Sequence, residues 1–494
     1  MAATTETRRP DRIAAVVAQA AAHPAPAAAL PLEGFAREYF RQVDVEDLDE
    51  RTPGDLLGAL LSHWQFAGQR QSGAPKVRVL SPSHGADGWS SRHSVVQVVN
   101  DDMPFLVDSV SLEIARHGLS LHLVVHPVFA VERDAAGVLL RALPREGAPP
   151  ALQRESWMYI EVDRIADPEQ RTALCRGIER VLADVRAAVR DWKPMLARLG
   201  EAAQEFARPP AAVAPEEAQE SRAFLEWLAD DHFTLLGYRQ HDLVEEGGAL
   251  ALRPVPGTGL GLLHEEVQPA DSASFAALPP AARALARTPS PQLVVTKANT
   301  RSTVHRDGYT DLVGVKRFDA RGRVVGEHRF IGLFTSTAYM ARVSETPLLR
   351  RKVEAVAARA GFAPGGHLAK ALQHTLETFP RDDLFQIAPD DLYDTAMGVL
   401  ALGERNRLRL FTWKDPFDRF VSCLVFVPRE SFSTQLRLKF QQILLQALDG
   451  SHIDFDVMLS GTQLARIHFT VRIPPQPVPA FDRKELGRRL AAVA

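Results

Sequence analysis

From Ser94 to Val99 the chain reads SVVQVV, a short apolar run, and NDDMP then separates it from FLVDSVSLEIARHG, where Leu106, Val110 and Ile114 recur four residues apart. Apolar residues at that spacing share one face of a helix. The pattern predicts a strand, a tight loop, and a helix that opens at Pro104 and stops at Gly118, where a left-handed cap residue belongs. Further on, LSLHLVVHPVFAVERD predicts a strand, residues 134–137 a hairpin turn into VLLRAL, and SWMYIEVDRI another strand. Residues 168–192 place Leu174, Ile178, Val181, Leu182 and Val185 on one side of a long amphipathic helix. This order, β-α-β-β-(β)-α, is close to a ferredoxin-like unit, an antiparallel sheet with helices on one face.

The same reading extends outward. Phe35, Tyr39 and Phe40, then Leu56, Leu57, Leu60, Leu61 and Trp64, predict two short helices upstream, with the acidic stretch at 44–49 as a solvated turn. Residues 205–220 are rich in Pro, Ala and Glu and read as a linker. Beyond it, AFLEWLADDHF predicts a helix, TLLGYRQHDLV and ALALRPVP a hairpin across EEGG, and QLVVTKANTRSTVHR with LVGVKRFDARGRVVGEHRFIGLFTS further strands turned at 319–322. Three amphipathic helices follow, in PLLRRKVEAVAARAG, HLAKALQHTLETF and PDDLYDTAMGVLALG. RLRLFTWKDPFDRFVSCLVFVPR then predicts a hairpin turned at 415–419, SFSTQLRLKFQQILLQALDG a helix ended by Gly450, and IDFDVMLS with ARIHFTVRI two more strands.

The expected fold class is therefore α+β and multidomain. Its parts are a tail and helices at 1–93, a first ferredoxin-like unit at 94–200, a linker at 201–220, a mixed α+β middle unit at 221–342, a helical connector at 343–403, a second ferredoxin-like unit at 404–475, and at 476–494 the start of a helix that reads as truncated.

Composition narrows the function. With Lys plus Arg at 58 and Asp plus Glu at 61, the formal charge of -3 offers no field for nucleic acid. No apolar stretch reaches the roughly 20 residues that span a bilayer, and the Ala-rich first thirty residues read as a frayed tail without a signal-peptide core. Cys175 and Cys423 stand far apart, which excludes a disulfide framework and a thiolate zinc site and fits a reducing cytoplasm.

Motifs for catalysis are missing. NAD-binding folds need backbone amides close to a pyrophosphate, hence G-x-G-x-x-G between strand and helix, and GTGLG at 257–261 leads into no helix and reads as a flexible loop. His122 and His126 have a helical metal spacing, but on a strand residues four apart stand roughly 13 Å from each other, too far for one ion. Two candidate sites remain. In the loop Asn100, Asp101, Asp102, Met103 and Pro104, free amides at a helix start could receive the carboxylate of an amino-acid effector, or Asp101 and Asp102 could cap the helix themselves. Lys297, Arg301, His305 and Arg306, with Asn299 and Ser302, gather donors on one strand, for an anion or for a neighbouring domain's acids.

Taken together, VVNDDMPFLVDSV, HPVFAVERDAAG, FLEWLADDHFTLLGYR, VPGTGLGLL, VVTKANTRSTVHR, VGVKRFDARGRVVGE, LLRRKVEAV, LETFPRDDLFQI and FVSCLVFVPRE resemble the amino-terminal region of the large bacterial NAD-specific glutamate dehydrogenases. The resemblance covers about residues 35–475. It implies ACT-type βαββαβ domains at about 94–192 and 404–474, a middle unit of PAS-like character, helical connectors, and a dehydrogenase domain further along that holds the catalytic lysine and NAD. No catalytic, cofactor or metal residue carries over to this chain. ACT folds bind amino acids at the strand-to-helix loop, which maps onto residues 100–104 with Asp108 at the helix start; the loop at 414–419 joins two strands and departs from that pattern. The expectation is a regulatory and oligomerisation region that senses amino acids, self-associates, and partners a carboxy-terminal dehydrogenase domain; a purely structural scaffold is the alternative.

Overall fold

The structure, a computed structural model, describes the chain except residues 1–4, 21–31, 247–248, 265–279, 404, 406, 416, 460–462 and 475–477. Most of the expected frayed tail beyond residue 20, the centre of the EEGG turn and part of PPQPVP lie outside the described residues. Two compact units form: residues 1–190 with 301–308, and residues 191–300 with 309–494.

In the first unit, α1 (Thr5–Ala20), α2 (Leu32–Tyr39), α3 (Val45–Asp49) and α4 (Pro53–Ala67) precede β1 (Lys76–Leu80), the short α5 (His84–Asp87) and β2 (Ser94–Asp101). Then come α6 (Leu106–Arg116), β3 (Leu121–Val125), β4 (Val128–Arg133), β5 (Leu139–Pro144), β6 (Gln153–Val162) and α7 (Pro168–Arg190). The sheet is antiparallel in the order β1-β2-β6-β4-β5, with β3 and β4 paired along successive parts of β6. Two expectations change. The strand at the edge beside β2 is β1, which precedes the unit expected at 94, and no strand follows α7: α8 begins at Trp192. Helices also cover both faces. Val95 and Val99 of β2 and Trp157 and Tyr159 of β6 pack with Phe35, Tyr39, Leu56 and Leu60 from α2 and α4, while α6 and α7 pack against each other and α7 lies over β1. That is why SVVQVV is apolar almost without alternation: each face of its strand meets a helical layer. By area, an aromatic side chain such as Trp157, which buries roughly 150–250 Å², contributes at most about 4–6 kcal/mol.

The hairpin turn at 134–137 forms as expected, with Gly137 at φ 84° and the Asp134 carboxylate accepting from the amides of Ala136 and Val138. Gly118 likewise takes the left-handed conformation after α6.

The second unit opens with α8 (Trp192–Glu205) and α9 (Pro215–Trp227), so the expected linker shortens to the residues between them. A π-turn at Leu228–His232 leads to β7 (Phe233–Glu246), β8 (Ala249–Pro254), β9 (Leu260–Gly261), α10 (Pro280–Arg287), β10 (Leu293–Arg301), β11 (Tyr309–Phe318) and β12 (Val324–Phe334). These strands form an antiparallel sheet in the order β10-β11-β12-β7-β8, packed on α8 and α9 through Leu199, Phe224, Tyr238 and Phe330. GTGLG is not a loose loop: its end forms β9 and pairs with Gly237 and Tyr238.

Four helices follow the short α11 (Ser336–Met340): α12 (Leu349–Ala360), α13 (His367–Glu377), α14 (Arg381–Gln386) and α15 (Pro389–Leu402). The last sheet comprises β13 (Arg409–Lys414), β14 (Phe420–Pro428), β15 (His452–Leu459) and β16 (Leu464–Arg472), in the order β13-β14-β16-β15, with α16 (Thr434–Leu448) and α17 (Arg483–Ala491). Phe440 and Leu444 of α16 and Leu486 and Leu490 of α17 cover one face of it, and Val356, Leu376 and Leu392 from the connector helices cover the other around Trp413, Phe420 and Leu424. Asp449, at φ 50°, is the left-handed cap of α16 rather than Gly450. Both ferredoxin-like sheets thus repeat one plan, a helical layer, an edge strand, then β-α-β-β-α, with β4 and β5 added in the first between β3 and β6, the last two strands of that plan.

Candidate functional site

In the loop at 100–104 the acids do not cap the helix that follows. α6 starts at Leu106 and not at Pro104, and its cap, Phe105, sits at φ 72° without any side-chain cap bond, so neither Asp101 nor Asp102 caps the helix. Asp101 instead pairs with Arg70 (2.5 Å) and Arg186 (2.7 Å) and accepts from the Gln153 amide and the Gly73 N–H. Burial alone would raise the Asp101 carboxyl, but the two guanidiniums hold it below the usual carboxylate range. Asn100 accepts from Arg186 at 2.7 Å, and the Asp102 amide donates to the Arg154 carbonyl. Beneath the loop, the fully buried Glu155 receives Arg70, Arg133 and the Trp157 indole. Side chains of this loop therefore tie β2, β6 and α7 together.

The donor cluster on 297–306 separates in two. β10 ends at Arg301, and residues 302–308 turn and pack within the first unit. There the His305 amide donates to Ser109 Oγ at 2.9 Å, His305 Nδ1 lies 3.2 Å from Asp108, and Thr303 donates to Asp184. Arg301 and Arg116 both reach Asp307. Arg306 also has a partner among the described residues. Lys297 belongs to the second unit, where its ammonium contacts Asp311 (2.7 Å) and Asp382 (2.8 Å). Burial raises Asp311, Lys297 opposes the rise, and the second carboxylate at Asp382 adds to it. The acids that meet these donors come from the chain itself.

His122 sits on β3 and pairs with Asp163 at 2.8 Å, while His126 reaches Ser156 Oγ at 2.6 Å. Among the described residues, no group of three or more His, Cys, Asp or Glu could hold a metal ion.

A cavity of about 190 Å³ lies between α2–α4 and the sheet of the first unit, a site the sequence analysis did not name. Its floor is a buried ion pair. Arg51 places Nη2 2.5 Å and Nε 3.3 Å from the Glu161 carboxylate, which also accepts from Tyr159 (2.9 Å) and Ser91 (3.3 Å). Asp55 lines the rim, accepting from the Ser90 amide at 2.7 Å and from Thr52 Oγ at 2.6 Å. Trp89 closes one wall, seated so tightly on α4 that a Cβ at Gly58 would lie 2.3 Å from it. His93 lines the cavity as well, its pKa lowered by burial and by the stacked ring of His122. A signal for this site existed: in SWMYIEV, the alternation that points Trp157 and Tyr159 into the core also points Glu155 and Glu161 there.

A corresponding polar cluster underlies the second sheet. Asp383 of α14 accepts from the Trp413 indole (3.0 Å) and Ser422 Oγ (2.6 Å) and lies 3.0 Å from His468.

Tandem ferredoxin-like sheets, each layered between helices, define an α+β class of paired sheet-and-helix modules. Comparison with known proteins makes this specific. Residues 35–178 match the ACT1 domain of glutamate dehydrogenase, 346–405 its helical motif 1, and 409–494 its ACT2 domain. The NAD-specific glutamate dehydrogenase of Halomonas elongata is 40% identical over 478 residues, which cover 94% of this chain and 29% of that protein. That of Pseudomonas aeruginosa is 38% identical over 90% of this chain and 27% of its own length, and that of Mycobacterium tuberculosis 31% identical over 88% and 26%. The chain belongs to the NAD-specific glutamate dehydrogenase family and corresponds to its amino-terminal region; it spans less than a third of the relatives it matches. No helix among the described residues is long and apolar enough to cross a membrane.

Proposed function

We propose that this chain is the regulatory and assembly region of an NAD-specific glutamate dehydrogenase, an enzyme that converts glutamate, NAD and water to 2-oxoglutarate, ammonia and NADH, and that it senses free amino acids. The observation that carries the reading is the repeated plan of its two ACT-type sheets, around which no dinucleotide fingerprint occurs. Hydride chemistry and NAD belong to a dehydrogenase domain that partners this region. The middle sheet fits the PAS-like reading: numbered in chain order without the two-residue β9, its strands neighbour one another as 2-1-5-4-3. Cytoplasmic residence agrees with Cys175 and Cys423, both free thiols. Self-association would use exposed strand edges such as β15, where Phe455 and Leu459 stand half exposed.

A scaffold reading draws on one observation: the polar side chains of Asn100 and Asp101 are already occupied by Arg70, Arg186 and Gln153. An effector carboxylate at that loop would have to coexist with Asp101 or draw Arg186 away from it. Calorimetric titration of the chain with individual amino acids separates the readings. Saturable heat with at least one supports sensing; a folded sample giving no heat with any supports the scaffold.

A further inference from the structure

We propose that the cavity between α2–α4 and the first sheet binds a small zwitterion of the chemical class of a free α-amino acid. The inference rests on the sensing reading and gives it a site away from the loop at 100–104. Size sets the first limit. At about 190 Å³ the space falls below the roughly 300–1,000 Å³ of drug-sized pockets. A dinucleotide does not fit, whereas a metabolite of amino-acid size does.

Charge sets the second. Three carboxylates, Glu50, Asp55 and Glu161, and two guanidiniums, Arg51 and Arg92, line the cavity. Arg51 carries five N–H donors. Among the described residues one goes to the Asp47 carbonyl and two to Glu161, which leaves one on each terminal nitrogen for a carboxylate. The excess of acid calls for a cation as well. Among the described residues Glu161 Oε2 receives Arg51 alone and Asp55 Oδ2 Thr52 alone, so each oxygen retains a lone pair for an ammonium. Trp89, Tyr159 and Phe40 supply aromatic lining, and aromatic faces attract cations. One ligand that meets the Arg51 donors and the carboxylates together carries both charges on a short skeleton. Dicarboxylates meet repulsion from Asp55 and Glu161, and simple amines leave the Arg51 donors unfilled.

The test is calorimetry of the full 494-residue chain with L-alanine, L-glutamine and L-lysine, against succinate and propylamine as probes of each charge alone. Saturable binding of an amino acid, with neither control binding comparably, is expected. Arg51→Lys, which loses the guanidinium, and Ala59→Met, which fills the cavity while every ion pair stays in place, should each weaken that binding on the order of tenfold or more. Arg186→Ala at the loop should leave it unchanged. If Arg51→Lys unfolds the unit, Ala59→Met still decides. Amino-acid binding that survives Ala59→Met, or is lost in Arg186→Ala alone, overturns the cavity and keeps the sensing reading. Equal binding of succinate overturns the zwitterion chemistry, and no binding by the unaltered chain overturns the sensing reading itself.

Discussion

Glu155 has no exposed surface and answers two guanidiniums, so its removal takes the carboxylate from the buried Arg133 and leaves Arg70 with Asp101 alone among the described carboxylates. Breaking a buried pair from one side costs about 3–5 kcal/mol, and Glu155→Ala should lower the unfolding free energy of the first unit by about that much in urea titration; a change within about 0.5 kcal/mol, typical of surface sites, would contradict the network. Gly58 offers a smaller and more local test. Because a Cβ there meets Trp89 at 2.3 Å, Gly58→Ala forces the indole toward the cavity. Overpacking of this kind costs roughly 1–3 kcal/mol, and the Trp fluorescence of the variant should shift with it. Neither residue announces itself by composition. Glu155 and Glu161 are legible only through strand parity, which sets them beside Trp157 and Tyr159 on the core-facing side, whereas Arg51 reaches Glu161 from a segment more than a hundred residues earlier. That pairing depends on tertiary packing, which a local pattern does not encode.

Among the elements, the strand order explains which boundaries the sequence revealed. SVVQVV, the helix with Leu106, Val110 and Ile114, and the 134–137 turn were readable because each follows a local rule of period or turn chemistry. β1 was not, since KVRVL alternates over only five residues and its partner, β2, lies beyond a second short helix. As the edge strand it protects β2. A fragment starting at Ser94 should aggregate or stay unfolded by size exclusion and circular dichroism, while one starting at Leu32 folds; a monomeric, folded Ser94 fragment would show that β1 is dispensable. The two polar clusters also respond to pH in opposite directions. In the first unit burial would raise Glu155, but Arg133 and Arg70 outweigh it and lower its pKa; the stability it contributes is present above the unfolded carboxylate value and lost as pH falls through the folded one. In the second, burial would lower His468, but Asp383 outweighs it and raises its pKa. That contribution is full below the unfolded histidine value of about 6.5 and lost as pH rises through the folded value. Hydrogen exchange should therefore show the first sheet opening earlier in acid and the second losing protection above neutrality, the latter abolished by His468→Ala.

At the scale of the whole molecule, the repeated plan matters most. The α1–α4 layer stands to the first sheet as α12–α15 stand to the second, and in both cases a buried acid joins layer to strand, Glu161 to Arg51 and Asp383 to Ser422 and His468. A sensor needs a ligand that prefers one arrangement of such layers over another, and the cavity lies at one of these seams. Nothing in this plan supplies a pyrophosphate cradle or a substrate lysine in a glycine-rich segment. The family's hydride chemistry was legible through resemblance alone. The most direct test of the account is glutamate-dependent formation of NADH by the 494-residue chain alone, followed by absorbance in a sample whose fold is verified by circular dichroism. The account predicts no NADH above the enzyme-free rate. Sustained turnover that rises with chain concentration would contradict it and place a dehydrogenase site within these residues.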